Sequence, residues 1–569
     1  MIVAANINVA NLQDGRHQAG NSRPEDPNFI KNTQELPSIE AWFAQKEKFR
    51  AVGHGFPMGM PQMQNCSPEL ERLFQETLKP KITSILGKFS INYSSIRLDD
   101  WRSKGSGEVQ HTILVSSDDT NTTKWKTAAE EILRVFRHEL PLGFTGDAQV
   151  EVQNKQLMNT DVSRAVPNEP ALIKCLEDTR EEIMETVMES LKDCWSSIGY
   201  HMRVPLESTL DMQGRATVMV YCRFGSCGDF KTAEDRILKV LDKSPMDIHV
   251  EIAPGEVFLA RNADGPRFLS DIPASPINGA SISVRGNNTE PGSLGGWVWL
   301  HIPRRDMRVR CVLTCYHVVR SPNQTIAAHT DVHGVVPDDR RGHIVAEYPA
   351  ACDGQHTLDI LASLPKHQAN SLEVRSQYRD LYNRMINPAI GKVTLASGNR
   401  ISDNSRMDWA LITSPSTFRP NKLPPSPSKQ DTFSLSLCGA FAMNPDSWVM
   451  SFGDVELGDW VSKYGRTSGT TYGKINHLRR EVRWPSGERT YEMEVISPNG
   501  EFSRPGDSGS MVVNSRGEFV GLVLATDSST PFGVTYITPI SHILRDINKM
   551  TDGGFLTLRP DDYGWFTSV

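Results

Sequence analysis

Apolar and polar positions alternate along this chain with two different periods, and the change of period divides it. From residue 66 to residue 254 helical spacing and strand spacing take turns. Ser67-Pro68-Glu69-Leu70-Glu71 reads as an N-cap followed by proline at the first helical position. The helix it opens runs toward Phe89, with a kink expected at Pro80. Strands are predicted near Ser94–Asp99 and Val109–Ser116, then a helix from Thr123 to His138 and a strand over Ala148–Val152. The same order follows again: a helix over Leu172–Ser196, strands near Tyr200–Pro205 and Arg215–Cys222, a helix over Asp229–Asp242, and a strand over Ile248–Ile252. Letters repeat along with the pattern. Trp125-Lys126-Thr127-Ala128 matches Phe230-Lys231-Thr232-Ala233, and at the same offset Ile132-Leu133-x-Val135 matches Ile237-Leu238-x-Val240. Val150-Glu151-Val152 corresponds to Val250-Glu251-Ile252. The expectation is a multi-domain α+β protein with two tandem α-β-β-α-β modules, residues 66–155 and 170–255.

Beyond a proline-containing stretch at 256–278, expected to be a linker, short apolar strands dominate. The first are Ala280–Val284, Trp297–Ile302, Val309–Cys315 and Thr325–Ala328. A helical run, Ser371–Met385, interrupts them and ends at Asn387-Pro388. Late in the chain Met511-Val512-Val513 and Phe519–Leu524 flank Asn514-Ser515-Arg516-Gly517, a hairpin signal. Residues 1–35 lack periodicity and read as a disordered arm; Ile39–Lys46 is a short helix candidate, and His54–Gln64 reads as a linker. Residues 1–65 are thus arm and linker, and 551–569 a C-terminal tail.

Composition narrows the function. A chain of 569 residues exceeds one core, and its net charge of −7 argues against nucleic-acid or anionic-membrane partners. No apolar run is long enough for a membrane span, and Met1–Asn8 lacks the basic flank and apolar core of a secretory signal. The nine cysteines, Cys66, Cys175, Cys194, Cys222, Cys227, Cys311, Cys315, Cys352 and Cys438, are odd in number and scattered, which fits a reducing compartment and a cytoplasmic location. Cys311 and Cys315 have no Cys/His partner pair at zinc spacing, so neither disulfides nor a metal site is expected, and no cofactor is expected either.

Three places carry chemistry. Gly506-Asp507-Ser508-Gly509 is a tight turn that suits a nucleophilic serine, with the N–H groups of Gly506 and Ser508 free to converge on an oxyanion. An apolar strand, Val312-Leu313-Thr314-Cys315-Tyr316-His317, ends in a histidine that can serve as base. Asp408, at the head of Trp409-Ala410-Leu411-Ile412, can orient that base. Asp359, before Ile360-Leu361-Ala362, is a rival acid with a shorter spacing from His317. Asp408 is preferred for its context and for the proline-rich crossover Arg419–Pro425 behind it.

From about Gly279 to Asn548 the chain resembles trypsin-like serine proteases, in the order His, Asp, Ser and in the contexts L-T-x-x-H, D-x-A-L-I and G-D-S-G. The tail from Gly506 to Ile540 looks closer to HtrA-type and intracellular fungal members than to digestive trypsin, and the stretch Lys463-Tyr464-Gly465-Arg466-Thr467-Ser468-Gly469-Thr470-Thr471-Tyr472-Gly473 resembles a strand of the second barrel in such domains. The resemblance implies two six-stranded β-barrels over 279–550 with the triad between them. It implies a substrate pocket at Phe502, Leu524, Ala525, Thr526 and Gly533, with a preference for an apolar or small residue before the cut. Digestive relatives free an Ile-Val terminus to pair with the aspartate before the serine; here Ile277 follows Ser275-Pro276, so no obligatory processing is expected. The expected partner is a protein or peptide substrate, with a regulatory protein or ligand at the N-terminal modules. A catalytically silent, partner-binding pseudoprotease and an esterase are the alternatives.

Overall fold

The computed structural model describes residues 36–559 apart from 56–61, 103–108, 141–146, 156, 158–160, 206–213, 260–271, 273–274, 288–289, 338–343, 366–368, 370, 416–420, 424–446, 499 and 528–532. The expected arm at 1–35 and most of the expected crossover, including Arg419, lie outside these residues.

Helix α1 (Ile39–Ala44), capped by the Ser38 hydroxyl, packs through Ile39 and Trp42 in the core of the second α/β unit, and the first unit begins with strands β1 (Arg50–Val52) and β2 (Gln62–Asn65). Helix α2 (Pro68–Leu73) follows, capped by Ser67 as its sequence predicts. It runs through a π-helical turn, Phe74–Leu78, into α3 (Lys79–Phe89). Pro80 lies in the first turn of α3; lacking an N–H it cannot continue the ladder, and the helix meets it with this π turn instead of a break. Strands β3 (Ser95–Arg102) and β4 (Val109–Ser116), helix α4 (Trp125–Glu139) and strand β5 (Asp147–Gln153) complete a sheet of order β1-β5-β4-β3-β2. Trp125, Ile132, Phe136, Ile113 and Val150 are among the residues of its core.

The second unit holds β6 (Asp161–Arg164), α5 (Pro170–Leu191), β7 (Trp195–Pro205), β8 (Arg215–Cys222), α6 (Phe230–Leu241) and β9 (His249–Pro254). Helix α5 stops short of Ser196 because Lys192 takes a left-handed φ of 45° and turns the chain into β7. The pairing β7–β8 is antiparallel and β8–β9 parallel, as for β3–β4 and β4–β5 in the first unit. Directly after β9 comes β10 (Val257–Leu259), a strand inside the stretch expected to be linker.

The barrel half opens with β11 (Ser281–Val284), β12 (Gly292–Ser293), β13 (Gly296–Ile302) and β14 (Met307–Thr314). Where a strand is expected over Thr325–Ala328 there is helix α7 (Gln324–His333); the Asn323 side chain accepts from the N–H groups of Thr325 and Ile326 and caps it. Strand β15 (Val345–Glu347) leads into the inserted helices α8 (Ala351–Ser363) and α9 (Leu372–Ile386). Strands β16 (Ala389–Ala396), β17 (Ile401–Ser402), β18 (Ser405–Arg406) and β19 (Ala410–Thr413) follow. β12 and β13 are one bent segment: its first part pairs with β11 and its second with β14, so the order β11-β15-β16-β19-β14 closes on it as a six-stranded barrel.

The second barrel uses β20 (Trp460–Gly465), β21 (Gly469–Ile475), β22 (Arg480–Arg483), β23 (Arg489–Ile496), β24 (Met511–Asn514), β25 (Phe519–Asp527) and β26 (Thr535–Pro539). The ladder β20-β21-β23-β26-β25-β24 returns to β20 and closes six strands. Helix α10 (Ile540–Thr551) and strand β27 (Phe555–Thr557) end the described chain; β27 pairs with β13, so part of the expected tail belongs to the first barrel's sheet.

The remaining strand, β22, joins the two halves. It pairs with β23 on one side and with β7 on the other, Glu481 opposite Ile198 and Val482 opposite Ser197. Sheet two and barrel two are therefore one continuous ladder. Leu478 of the barrel half packs in the core of the second α/β unit. Across this seam Arg480, fully buried, bonds Glu494 at 2.7 Å, Asp527 at 3.0 Å and the Ser197 hydroxyl at 3.0 Å.

Candidate active site

Strand register brings the histidine to the acid. Thr314, the last residue of β14, stands opposite Ala410, the first of β19, so residues just past one strand and just before the other share a barrel mouth. His317 Nδ1 lies 2.5 Å from Asp408 Oδ2, and the His317 N–H donates to Asp408 Oδ1 at 2.8 Å. Two bonds to one carboxylate fix both the ring and the strand end that carries it. Burial alone would raise the Asp408 carboxyl; the His317 ring, its hydrogen bonds and the Arg406 charge hold it below its ordinary value. Asp359 lies elsewhere: it sits on the exposed face of α8 and accepts from Gln355. The apolar run behind it, which reads as a strand, is the rest of that helix.

Ser508 stands on the turn before β24. Asp507 N–H donates to Arg504 O and Ser510 N–H to Asp507 O, giving two tight turns in succession. Gly506 and Gly509 have φ of 95° and 85°, open to glycine at little strain. At Gly509 a Cβ would also stand 2.3 Å from Thr314 Oγ1. The first barrel clamps this turn: Ser293 N–H donates to Ser508 O at 2.8 Å and the Ser293 hydroxyl to Gly506 O at 3.0 Å. Among the described residues the N–H groups of Gly506 and Ser508 make no hydrogen bond. The Ser508 hydroxyl donates to Leu524 O at 3.3 Å, and His317 Nε2 has no partner among the described residues. All three side chains are buried.

Asp507 is held from several sides. Its carboxylate accepts from the N–H groups of Arg504, Thr467 and Ser468, from the Ser468 hydroxyl, and from Lys463 Nζ at 3.1 Å. Lys463 and Asp507 are both completely buried. The aspartate before the serine thus has a cation partner from within the chain. Sequence reading placed Lys463 on a barrel strand without a role; its signal was the one charge at an inward position of that strand.

The residues expected to form the substrate pocket divide. Phe502 packs in the core of the second barrel with Val461, Ile475 and Val523. Leu524 and Ala525 pack with Val482, Trp484 and Tyr536. Thr526 donates to Val534 O, and Gly533 lies so close to Asp527 that a Cβ would stand 2.1 Å from its carbonyl oxygen. Sequence reading missed what lies along this wall. Strand β10 pairs antiparallel with β25, Val257 opposite Asp527, Phe258 opposite Thr526 and Leu259 opposite Ala525. It runs toward Leu524, the residue whose carbonyl touches the Ser508 hydroxyl.

Cys315, His317 and Asp408 bring three donor atoms within 4.8 Å of one another. They fit a metal poorly. His317 Nδ1 is already engaged with Asp408, and burial pushes the Cys315 thiol well above its ordinary value, away from the thiolate a metal needs.

No family model matches the chain, and no curated protein does. Solved structures match about half of it. Thermobifida fusca Protease A aligns at 15% identity over 49% of this chain and 97% of its own, with a TM-score of 0.27. Cellulomonas bogoriensis chymotrypsin aligns at 14% over 48% and 94%, with a TM-score of 0.25. Deg5 aligns at 13% over 48% and 91%, with a TM-score of 0.22. The two closed six-stranded barrels give this half of the chain a chymotrypsin-like double-barrel fold.

Proposed function

We propose that this chain is a serine endopeptidase acting through an acyl-enzyme. The observation that supports it most is the doubly bonded His317–Asp408 pair beside the clamped Ser508 turn with two unengaged amides. Ser508 Oγ attacks the scissile carbonyl while His317 Nε2 takes the hydroxyl proton and passes it to the leaving amine. Asp408 keeps the proton on Nδ1 and stabilises the imidazolium. The N–H groups of Gly506 and Ser508 receive the oxyanion. Water then repeats the sequence on the ester and frees Ser508. For this to begin, the Ser508 hydroxyl must turn from Leu524 O to His317.

The proposal extends to regulation by the N-terminal half, which we read as two copies of one module. An extended peptide binds an exposed sheet edge by adding a strand, and here the edge of β25 next to Ser508 is taken by the chain's own β10. The described form is on this reading a latent one. The eight described cysteines are free thiols, and no helix among the described residues is long and apolar enough to cross a membrane; the cytoplasmic setting expected from the scattered cysteines remains part of this proposal.

The pseudoprotease reading is favoured by one observation, the Ser508 hydroxyl bonded to Leu524 and not to His317. Fluorophosphonate labelling of the full chain separates the two. Labelling of wild type that disappears in Ser508→Ala supports the hydrolase. Absence of labelling in wild type, also after release of β10, leaves the silent partner-binding barrel.

A further inference from the structure

We propose that Asp353, on the helix inserted between the histidine and the acid, is a positioning residue for the oxyanion-hole turn and acts through Arg466. The inference rests on the hydrolase reading above. Helix α8 carries Asp353 into the barrel interface, where its carboxylate accepts from Arg466 Nε and from the Ser281 hydroxyl, both at 2.5 Å, and from Arg466 Nη2. Both partners are 2% exposed at the side chain. A forked guanidinium on a carboxylate fixes orientation as well as distance, so the Arg466 side chain has one place to be.

From Arg466 three short paths lead to the turn that carries Ser508. Its N–H donates to the Ser293 hydroxyl at 3.0 Å, and that hydroxyl donates to Gly506 O at 3.0 Å. Its Nη1 donates to Thr467 Oγ1 at 3.0 Å, and that hydroxyl donates to Pro505 O at 2.7 Å. The Thr467 N–H donates to Asp507 Oδ1 at 2.8 Å. Residues 505, 506 and 507 are thus each held within two hydrogen bonds of the Arg466–Thr467 turn, residue 505 through the guanidinium and residues 506 and 507 through backbone N–H groups, and the carboxylate that forks onto that guanidinium comes from the insertion. Gly506 carries one oxyanion donor. Its N–H shares a peptide plane with Pro505 O, and Gly506 O holds the plane that follows, so slack in the Arg466 turn becomes slack in the donor. Loss of one such donor lowers acylation by about 10²–10³, and misorientation by less.

The test uses the full chain and the maximal rate and half-saturating concentration of fluorophosphonate labelling. Replacing the pair by an apolar one, Asp353→Leu with Arg466→Met, removes both charges together and so leaves no stranded ion. We expect wild-type resistance to urea, a maximal labelling rate lower by about tenfold or more, and an unchanged half-saturating concentration. Arg466→Lys keeps the charge and loses the fork; we expect a smaller fall in the same parameter. If the apolar pair labels at the wild-type rate, Asp353 does no more than pack and the proposal is overturned. Should the apolar pair fail to fold, Arg466→Lys decides alone: wild-type labelling by that variant overturns the proposal. Wild type that labels while the variants slow supports it. A chain that never labels, even with β10 released by Val257→Asp, removes the hydrolase reading first and this inference with it.

Discussion

Glu492 offers the sharpest test of the buried electrostatics around the site. It lies on β23, is 1% exposed, and accepts from the N–H of Arg406, two residues before Asp408. Burial pushes its carboxyl from the ordinary 4.5 up to about 7, against the pull of hydrogen bonds from Thr490 and Arg406 and of the Arg406 charge. The folded state therefore keeps a proton that the unfolded chain has released between those two values. Stability from this group is complete below pH 4.5, is lost as pH climbs to about 7, and is flat beyond. At 1.36 kcal/mol per unit the loss amounts to about 3 kcal/mol. Glu492→Gln cannot ionise and its amide oxygen can still accept from Arg406. We expect its unfolding free energy, from urea titration of the full chain, to match wild type to within about 1 kcal/mol at pH 4 and to exceed it by about 3 kcal/mol at pH 8. Glu481, pushed by burial to about 7 as well, remains in the variant and leaves it a residual slope of the same sign. A difference between variant and wild type that is the same at both pH values would refute the reasoning.

Two further outcomes follow from the seam and the wall. Arg480→Met strips the cation from Glu494 and Asp527, both fully buried; urea titration should show a loss of about 3–5 kcal/mol, and a loss under about 1 kcal/mol would show that the ladder β7–β22 holds without it. Val257→Asp puts a charge where Val257 packs against Leu524 and Tyr536; losing that burial, about 1.5–3 kcal/mol, should raise fluorophosphonate labelling of Ser508 by about 10–100-fold if β10 blocks the track, whereas an unchanged rate would mean that it does not.

The triad candidates were legible because each sits where a strand begins or ends, and strand ends are written locally in the apolar runs Val312–Thr314, Trp409–Ile412 and Met511–Val513. Asp359 could deceive for the same reason: Ile360-Leu361-Ala362 is as apolar as a strand, and only its packing as the end of α8 tells otherwise. Ser67 and the order of helices and strands in the first two units were likewise local. What stayed hidden was pairing at long range. Nothing in Val257-Phe258-Leu259 names Ala525–Asp527 as its partner, because an edge strand of three residues has no period to read. Lys463 and Arg466 were visible as letters, but a buried cation declares its purpose only when its carboxylate arrives from residues 507 and 353.

Those long-range pairings also change what a domain is here. The sequence divides at 256–278, and by that reading a cut there frees the barrels. The ladder runs across that boundary twice, through β7 on β22 and β10 on β25. A chain beginning at residue 270 would lose both strands, leave Val482 and Trp484 without their cover and take the Ser197 hydroxyl and the His201 ring from Arg480 and Glu494. Glu494, held down to about 2 by His201 and Arg480 against its burial, would lose the His201 part of that support. Silence from such a fragment would therefore report a damaged second barrel, and its activity could not be set against the full chain. Release of the wall is better asked of the intact protein, where a substitution in β10 opens one strand and leaves β7 and the Arg480 network in place.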